Sequence, residues 1–195
     1  MTSDKSASMV SLAFNPAVIA AFTFLILMWP LQLNRTSLSI MGICVTFGTI
    51  IPLVMMYQLS KRGLISDFYV SEKHERTKPF AGAIASYIVG SVALLLVRAP
   101  TIFTALMLCY VGNTVIMMLI TLRWKISVHA SSIAGPATAL VYGIGAWTTV
   151  FFVILVPVGW ARVRLGAHTP WQMLAGALVT IVATWIQLKI YFAIL

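Results

Sequence analysis

The chain has 195 residues, of which 61% are hydrophobic and only 9% are charged. About a quarter of the residues in a soluble domain are charged, so this composition excludes an ordinary soluble protein. The net charge of +9 is not arranged as a basic stripe with interleaved aromatic residues, so nucleic acid is not an expected partner.

In chain order, residues 1–12 are expected to form an N-terminal tail, and six apolar runs follow. Each run is near or above the roughly 18–20 residues that cross about 30 Å of hydrocarbon. The first run is long and is not followed by a clean small-residue cleavage site, so it predicts a retained helix rather than a secretory signal. The runs are Phe14–Leu31, Leu38–Leu59, Ala81–Val97, Thr101–Leu122, Ser127–Val158 and Trp171–Leu195.

The fifth run decides whether the bundle has six helices or seven. Gly143 and Gly145 lie near its middle, where glycine lowers helix propensity and permits a tight turn. A reversal there would divide the run into two short helices, Ser127–Tyr142 and Ala146–Arg162. The sequence therefore predicts an all-α, polytopic transmembrane bundle of six to seven helices, with residues 1–195 forming one integral membrane domain.

With this reversal, most of the basic residues gather on one face, in the segments 61–78, 123–125 and 162–164 between helices. Excess Lys and Arg marks cytoplasmic loops, so the positive-inside rule assigns this face to the cytoplasm of a multi-pass protein of the cell (plasma) membrane. A phosphate-binding site would need several of the same cations on either side of the membrane, which is a competing explanation of the charge.

Three polar stretches on this face contain the candidate chemistry. A single basic residue at a membrane boundary is most often an orientation signal or a headgroup contact, but two histidines with arginines on one face indicate a functional site. Clustered Lys and Arg neutralise phosphoryl charge, and histidine can attack phosphorus or transfer protons, so the pattern predicts phosphoryl transfer. The stretches are "SEKHERTKPF" (71–80), "KISVHASS" (125–132) and "ARVRLGAHTPWQ" (161–172).

No cofactor or metal is expected. The sequence has no aspartate cluster for Mg²⁺ and no glycine-rich loop before a Lys-Ser or Lys-Thr pair, which a nucleotide-binding loop would provide. Cys44 and Cys109 fall inside predicted spans, where packing is a commoner role than a disulfide or a metal pair. The predicted site is therefore metal-independent and non-nucleotide.

The third stretch resembles a motif of the type 2 phosphatidic acid phosphatase (PAP2) superfamily of membrane lipid phosphatases. The family motif is Ser-Arg, five residues, His, three residues and Asp. The chain has Ala161-Arg162, five residues, His168, three residues and Gln172, followed by the family-like "MLAGAL". The chain matches this specific motif at Arg162 and His168, and it departs from the motif at Ala161, where the family has serine, and at Gln172, where the family has aspartate.

The other two family motifs are weaker in this chain. Pro-Ser-Gly-His is similar to "ISVH" at residues 126–129. The pattern of Lys, six residues and Arg-Pro is matched only loosely, without an exact register, by Lys73, Arg76 and Lys78-Pro79. The resemblance covers roughly residues 66–178.

The resemblance implies a PAP2-like fold and a phosphohistidine mechanism. His168 would be the nucleophile, and His129 would protonate the leaving alkoxide and later take a proton from water. Arg164 stands where the family often has an aromatic residue, and it would be either a further headgroup contact or an interfacial anchor. The residues expected to bind the phosphoryl group are Arg162, Arg76, Lys73, Lys78 and Ser127.

Gln172 permits two interpretations. In the family, an aspartate at this position orients the nucleophilic imidazole and stabilises its positive charge, whereas a neutral glutamine offers only its amide oxygen. Alternatively, "HTPWQ" is a helix start with Thr169 as N-cap, Pro170 at the first helical position and Gln172 closing a capping box, in which case Gln172 never touches His168.

Two functions follow from these residues. The first is a phosphoric ester hydrolase that removes phosphate from a lipid or isoprenoid phosphomonoester or diphosphate entering from the bilayer. The second is a catalytically inactive PAP2-like protein that binds or transports a lipid phosphate or serves as a subunit of a membrane complex. The missing aspartate favours the second, and the retention of both histidines and Arg162 favours the first.

Overall fold

The structure, a computed structural model, describes residues 2–66, 70 and 73–195, except for the side chains of residues 2, 3 and 73. Within these residues the chain is helical and contains no β-strand, so the predicted all-α class is confirmed. The helices are α1 (Thr2–Ala13), α2 (Pro16–Met28), α3 (Arg35–Val45), α4 (Ile51–Lys61), α5 (Thr77–Leu96), α6 (Thr101–Arg123), α7 (Val128–Gly143), α8 (Leu155–Arg164) and α9 (Pro170–Ile194).

Three short segments of other helical types adjoin these helices. A π-helical turn, Thr46–Ile50, joins α3 to α4 without a break. The 3-10 segments Lys73–Arg76 and Ala146–Ile154 lead directly into α5 and α8. The second of them corrects the sequence prediction, because nine residues of the expected helix Ala146–Arg162 have the tighter 3-10 geometry.

Five helical segments of the described chain are long and apolar enough to cross a membrane, and a sixth is obtained if α1 and α2, bent by 45°, count as one span. This agrees with a multi-pass membrane protein. Helix α7 has only 16 residues and is not among the five. The five are Arg35–Lys61, His74–Leu96, Thr101–Arg123, Ala146–Arg164 and Pro170–Ile194.

The chain reverses after α7, as the two glycines predict. Helix α7 ends at Gly143, and Gly145 has φ +141°, a conformation that side chains with a Cβ rarely adopt. Helix α7 then packs against both the 3-10 segment and α8. Because of this reversal, His129 in the first turn of α7 and Arg162 in the last turn of α8 lie at the same end of the bundle.

The N-terminal segment is not the expected tail. Residues 2–13 form α1, which packs against α8. Ala7 and Ser11, four residues apart and so on one helical face, are both 0% exposed. Helix α2 then starts at Pro16, with the Asn15 side chain accepting a hydrogen bond from the backbone N–H of Ala17. Composition alone did not reveal α1, because its buried face consists of small residues rather than large apolar ones.

Helices α7 and α9 approach each other closely at their N-terminal ends. A Cβ added to Gly176 would lie 2.6 Å from the carbonyl oxygen of Ser127, so no other residue fits there without displacing backbone. Further along the pair, the Thr180 hydroxyl donates to the Ser131 hydroxyl at 2.8 Å. This contact brings the start of α7 next to the loop that precedes α9.

Candidate functional site

Four buried side chains meet at one end of the bundle. They are the two predicted histidines and two of the predicted arginines, and each arginine acts electrostatically on both histidines. Their positions in the chain are the end of the first 3-10 segment, the first turn of α7, the last turn of α8 and the loop before α9. Their exposed fractions are 4% for Arg76, 6% for His129, 2% for Arg162 and 6% for His168.

Arg76 is held by two backbone carbonyls. Its Nε donates to the carbonyl oxygen of Val70, and its Nη1 to that of Ile126, both at 2.9 Å. The second bond ties the arginine to the residues that lead into α7. The guanidinium is therefore fixed in orientation next to the histidines, as a phosphoryl-binding group needs to be.

Gln172 performs both of the roles that the sequence allows. It closes the capping box of α9 with Thr169: the Thr169 hydroxyl accepts from the Gln172 N–H at 3.3 Å, and Gln172 Oε1 accepts from the Thr169 N–H at 3.1 Å. The same Oε1 lies 3.1 Å from Nδ1 of His168. Capping therefore does not remove Gln172 from the histidine but fixes which amide atom faces it.

This arrangement determines the tautomer of His168. Because the backbone N–H of Thr169 requires an acceptor, the atom of Gln172 that faces both partners is the amide oxygen. An amide oxygen cannot donate, so Nδ1 of His168 carries the hydrogen of this bond. The lone pair of the neutral ring is then on Nε2, the nitrogen available to attack phosphorus.

His168 is neutral at physiological pH. Burial and, next in size, the nearby positive charge of Arg76 lower its pKa to about 3, and Arg162 and Lys125 act in the same direction. The hydrogen bond to Gln172 opposes this shift but does not overcome it. A neutral imidazole with a free lone pair is the form a nucleophile requires.

Ser127 is the N-cap of α7 and is fully buried. Its hydroxyl accepts a hydrogen bond from the Ala130 N–H at 3.3 Å, and its own N–H donates to the Gln172 carbonyl at 3.3 Å. The Ser127 N–H, one donor by which the predicted phosphoryl contact could be made, is thus bonded within the protein. Ser127 lies at the site, and its contacts join the starts of α7 and α9.

Two other predicted residues, Lys78 and Arg164, are not brought into the buried cluster. Lys78 is exposed in the first turn of α5 and is not among the groups that act on either histidine. The Arg164 side chain is 54% exposed and pairs with Asp4 at 3.4 Å, which suits an interfacial position rather than a phosphoryl contact. The side chain of Lys73 lies outside the described residues.

A mostly apolar cavity of about 160 Å³ borders the cluster. Arg76 and His129 form part of its wall, and the rest comes from α2 with its cap Asn15, from α4, α5, α6 and the start of α7, and from Val70. A hydrocarbon chain fits this lining, because burying apolar surface there is favourable while the charged headgroup remains beside the cations. Its apolar wall includes Ala17, Pro52, Leu53, Met55, Met56, Phe80 and Ala83.

Two residues at the site were missed as site residues in the sequence. Lys125 is half-buried and acts on His168, but it appears in the sequence only as one more cation of a basic loop. Ser11 is fully buried, and its hydroxyl accepts a hydrogen bond from Nη1 of Arg162 at 2.9 Å. The four-residue spacing of Ala7 and Ser11, typical of close helix contacts, was the available signal for the second.

Among the described residues, no group of three or more His, Cys, Asp and Glu side chains is placed to hold a metal ion. Comparison of the chain with protein-family models, with curated proteins and with solved structures finds no significant match.

Proposed function

We propose that the protein is a membrane-embedded phosphatase that hydrolyses a lipid or isoprenoid phosphate through a phosphohistidine intermediate, with no metal required. The observation that supports this best is the buried cluster of two arginines and two histidines, in which His168 is neutral and directs Nε2 away from Gln172. The PAP2-like motif around Arg162 and His168 supports the same chemistry.

In the proposed first step, Nε2 of His168 attacks phosphorus and the bond from phosphorus to the leaving oxygen breaks. Arg76 and Arg162 neutralise the charge on the phosphoryl oxygens. His129, protonated when the negatively charged substrate is present, gives its proton to the leaving oxygen. The positive charge that develops on His168 is stabilised by the amide oxygen of Gln172, through the Nδ1 hydrogen bond.

In the proposed second step, a water molecule attacks the phosphohistidine. Neutral His129 takes a proton from this water, the bond between phosphorus and Nε2 breaks, and phosphate leaves. His168 recovers its lone pair on Nε2 and keeps its hydrogen on Nδ1. Each step uses His129 in the opposite protonation state, so the two histidines complete one turnover without a further proton carrier.

The apolar cavity supports a lipid or polyprenyl substrate, either a monoester or a diphosphate. Its wall changes from apolar side chains on α4 and α5 to Arg76 and His129, matching a ligand with a hydrocarbon chain and an anionic head. On the positive-inside rule, we place this end of the bundle on the cytoplasmic face of the plasma membrane. The three basic loop segments support that orientation.

The second candidate function is a lipid-phosphate binder, transporter or complex subunit without hydrolysis, and Gln172 is the observation that favours it. A neutral amide stabilises a positively charged imidazole less than an aspartate does. In a serine protease triad, neutralising the aspartate reduces kcat about 10⁴-fold. The arginines would still bind a phosphate in that case.

The test is phosphate release from polyprenyl and glycerolipid phosphates by purified protein in detergent with a chelator. The proposal expects turnover by the wild type and none by His168→Ala. The matched control is His74→Ala, which removes an exposed histidine. Binding of lipid phosphate without turnover by the wild type would favour the second candidate.

A further inference from the structure

One residue of the N-terminal helix contacts two members of the proposed catalytic set. The Ser11 hydroxyl accepts from Nη1 of Arg162, 151 residues away in sequence, at 2.9 Å. The backbone of the same residue is hydrogen-bonded to the His129 side chain. Ser11 is 0% exposed, so both contacts are shielded from water.

The hydrogen bond from Arg162 to the Ser11 hydroxyl fixes the orientation of the arginine side chain. An arginine side chain has many rotamers, and fixing it during substrate binding carries an entropic cost. A charge-assisted hydrogen bond to a buried hydroxyl fixes one edge of the guanidinium before substrate arrives. A hydroxyl, unlike a carboxylate, leaves the positive charge of the guanidinium available to a phosphate.

The backbone contact supports the same conclusion. A neutral imidazole has one N–H, and giving it to a carbonyl oxygen leaves the lone pair on the other ring nitrogen. The Ser11 carbonyl therefore orients His129 for taking a proton from water, while the Ser11 hydroxyl orients Arg162. Both groups belong to one residue, so their relative positions depend on where α1 lies.

Helix α1 packs against α8, the helix that carries Arg162. Near its start, Asp4 pairs with Arg164 of α8 at 3.4 Å. After its end, the chain bends by 45° into α2, where Asn15 caps the new helix and Pro16 occupies its first turn. Ser11 lies between these attachments, on the helix face that packs against α8.

We propose that Ser11 is a positioning residue that holds Arg162 ready for phosphate, and that α1 is thereby a working part of the site. This rests on the function proposed above. In the proposed reaction, Arg162 contacts the phosphoryl oxygens both before and during the transfer. Loss of the Ser11 hydroxyl should therefore weaken the binding of substrate and of transition state by similar amounts. Loss of such uniform binding raises KM and leaves kcat nearly unchanged.

The test compares Ser11→Ala with Ser8→Ala, the same substitution at an exposed position of the same helix. Phosphate release and thermal unfolding are measured for both. The proposal expects KM to rise about ten-fold in Ser11→Ala with kcat within about three-fold, and no change in Ser8→Ala. A lower melting temperature with unchanged KM would show a purely structural role and would overturn the proposal.

Orthovanadate binding separates this proposal from the proposed function. Vanadate resembles phosphate and needs no turnover, and its binding is measured as thermal stabilisation of the protein in detergent. Ser11→Ala is expected to need about ten times more vanadate than the wild type for the same stabilisation. If the wild type binds vanadate but does not hydrolyse lipid phosphates, the hydrolase proposal fails and this comparison still decides the role of Ser11. The proposed role of Ser11 would be contradicted if the wild type and Ser11→Ala needed the same vanadate concentration for the same thermal stabilisation. It would also be contradicted if vanadate did not bind to the wild type.

Discussion

Gln172 Oε1 lies 3.1 Å from Nδ1 of His168 while it also accepts the backbone N–H of Thr169. One amide oxygen thus completes the N-terminal cap of α9 and orients the proposed nucleophile. This geometry shows how a glutamine, at the position where the PAP2 motif has an aspartate, can orient an imidazole. Glutamine does not supply the negative charge that a carboxylate would place next to the imidazole.

Gln172→Glu should increase turnover. Glutamate has the length of glutamine and is the usual capping-box residue, so both hydrogen bonds of the side chain are kept. The added charge stabilises the imidazole as it becomes positive, and we expect kcat to rise at least ten-fold. Phosphate release measures the effect.

The control for this change is Gln58→Glu, which adds the same charge at an exposed position on α4. It should leave kcat as in the wild type. Unchanged or lower kcat in Gln172→Glu, with the fold intact, would mean that charge on His168 does not limit the reaction.

Alanine substitutions of Arg162 and Arg164 should have very different effects on kcat/KM, although the two residues are only two positions apart in the chain. Arg162 is 2% exposed in the cluster, whereas the Arg164 side chain is 54% exposed and paired with Asp4. Arg162→Ala should reduce kcat/KM at least 100-fold, because it removes a buried cation from the phosphoryl group. Arg164→Ala should stay within about three-fold, since exposed ion pairs contribute little. Equal losses in the two variants would show that Arg164 also binds the headgroup.

Gly176→Ala should damage both stability and activity. Its new Cβ would lie 2.6 Å from the Ser127 carbonyl, a backbone atom that cannot move without shifting the start of α7 and His129. We expect a loss of about 1–3 kcal/mol in stability and at least ten-fold in turnover. Gly42→Ala is the control, because an added Cβ there meets nothing within 4 Å. Thermal unfolding and phosphate release would show both effects, and a wild-type-like Gly176→Ala would contradict the close approach of the two helices.

Stability should fall as the pH is lowered from about 6.5 towards 3. The pKa of His168 is lowered from 6.5 in the unfolded chain to about 3 in the folded one, so between these values the unfolded chain binds more protons. This one group can contribute at most about 1.4 kcal/mol per pH unit. His168→Gln should flatten the pH dependence of unfolding, and His74→Gln should not. Equal slopes in all three proteins would contradict the burial of a neutral His168.

Much of the bundle could be predicted from the sequence because apolar run length and glycine position determine it locally. The reversal at Gly143 and Gly145 is an example: a positive φ at Gly145 is required, and glycine provides it. The buried cluster also followed from this reversal, since it places His129 and Arg162 at the same end. These are consequences of backbone preference and hydrophobicity, both of which a single sequence contains.

The contribution of α1 could not be predicted in the same way. Its burial depends on the shape of α8, with Ala7 and Ser11 small enough to allow contact. Similarly, helix propensity and periodicity do not separate the buried Arg162 from the exposed Arg164, which only the motif resemblance distinguishes, because side-chain direction at a helix end depends on what packs there. Such contacts depend on tertiary packing rather than on local propensity or periodicity.

The most direct test of the central claim is to trap the covalent intermediate with a lipid phosphate that carries a labelled phosphoryl group. Acid-labile, alkali-stable label on the wild type and on His74→Ala, absent from His168→Ala, is the predicted result. Phosphate release from His168→Ala, or wild-type turnover that never labels the protein, would contradict a phosphohistidine intermediate on His168.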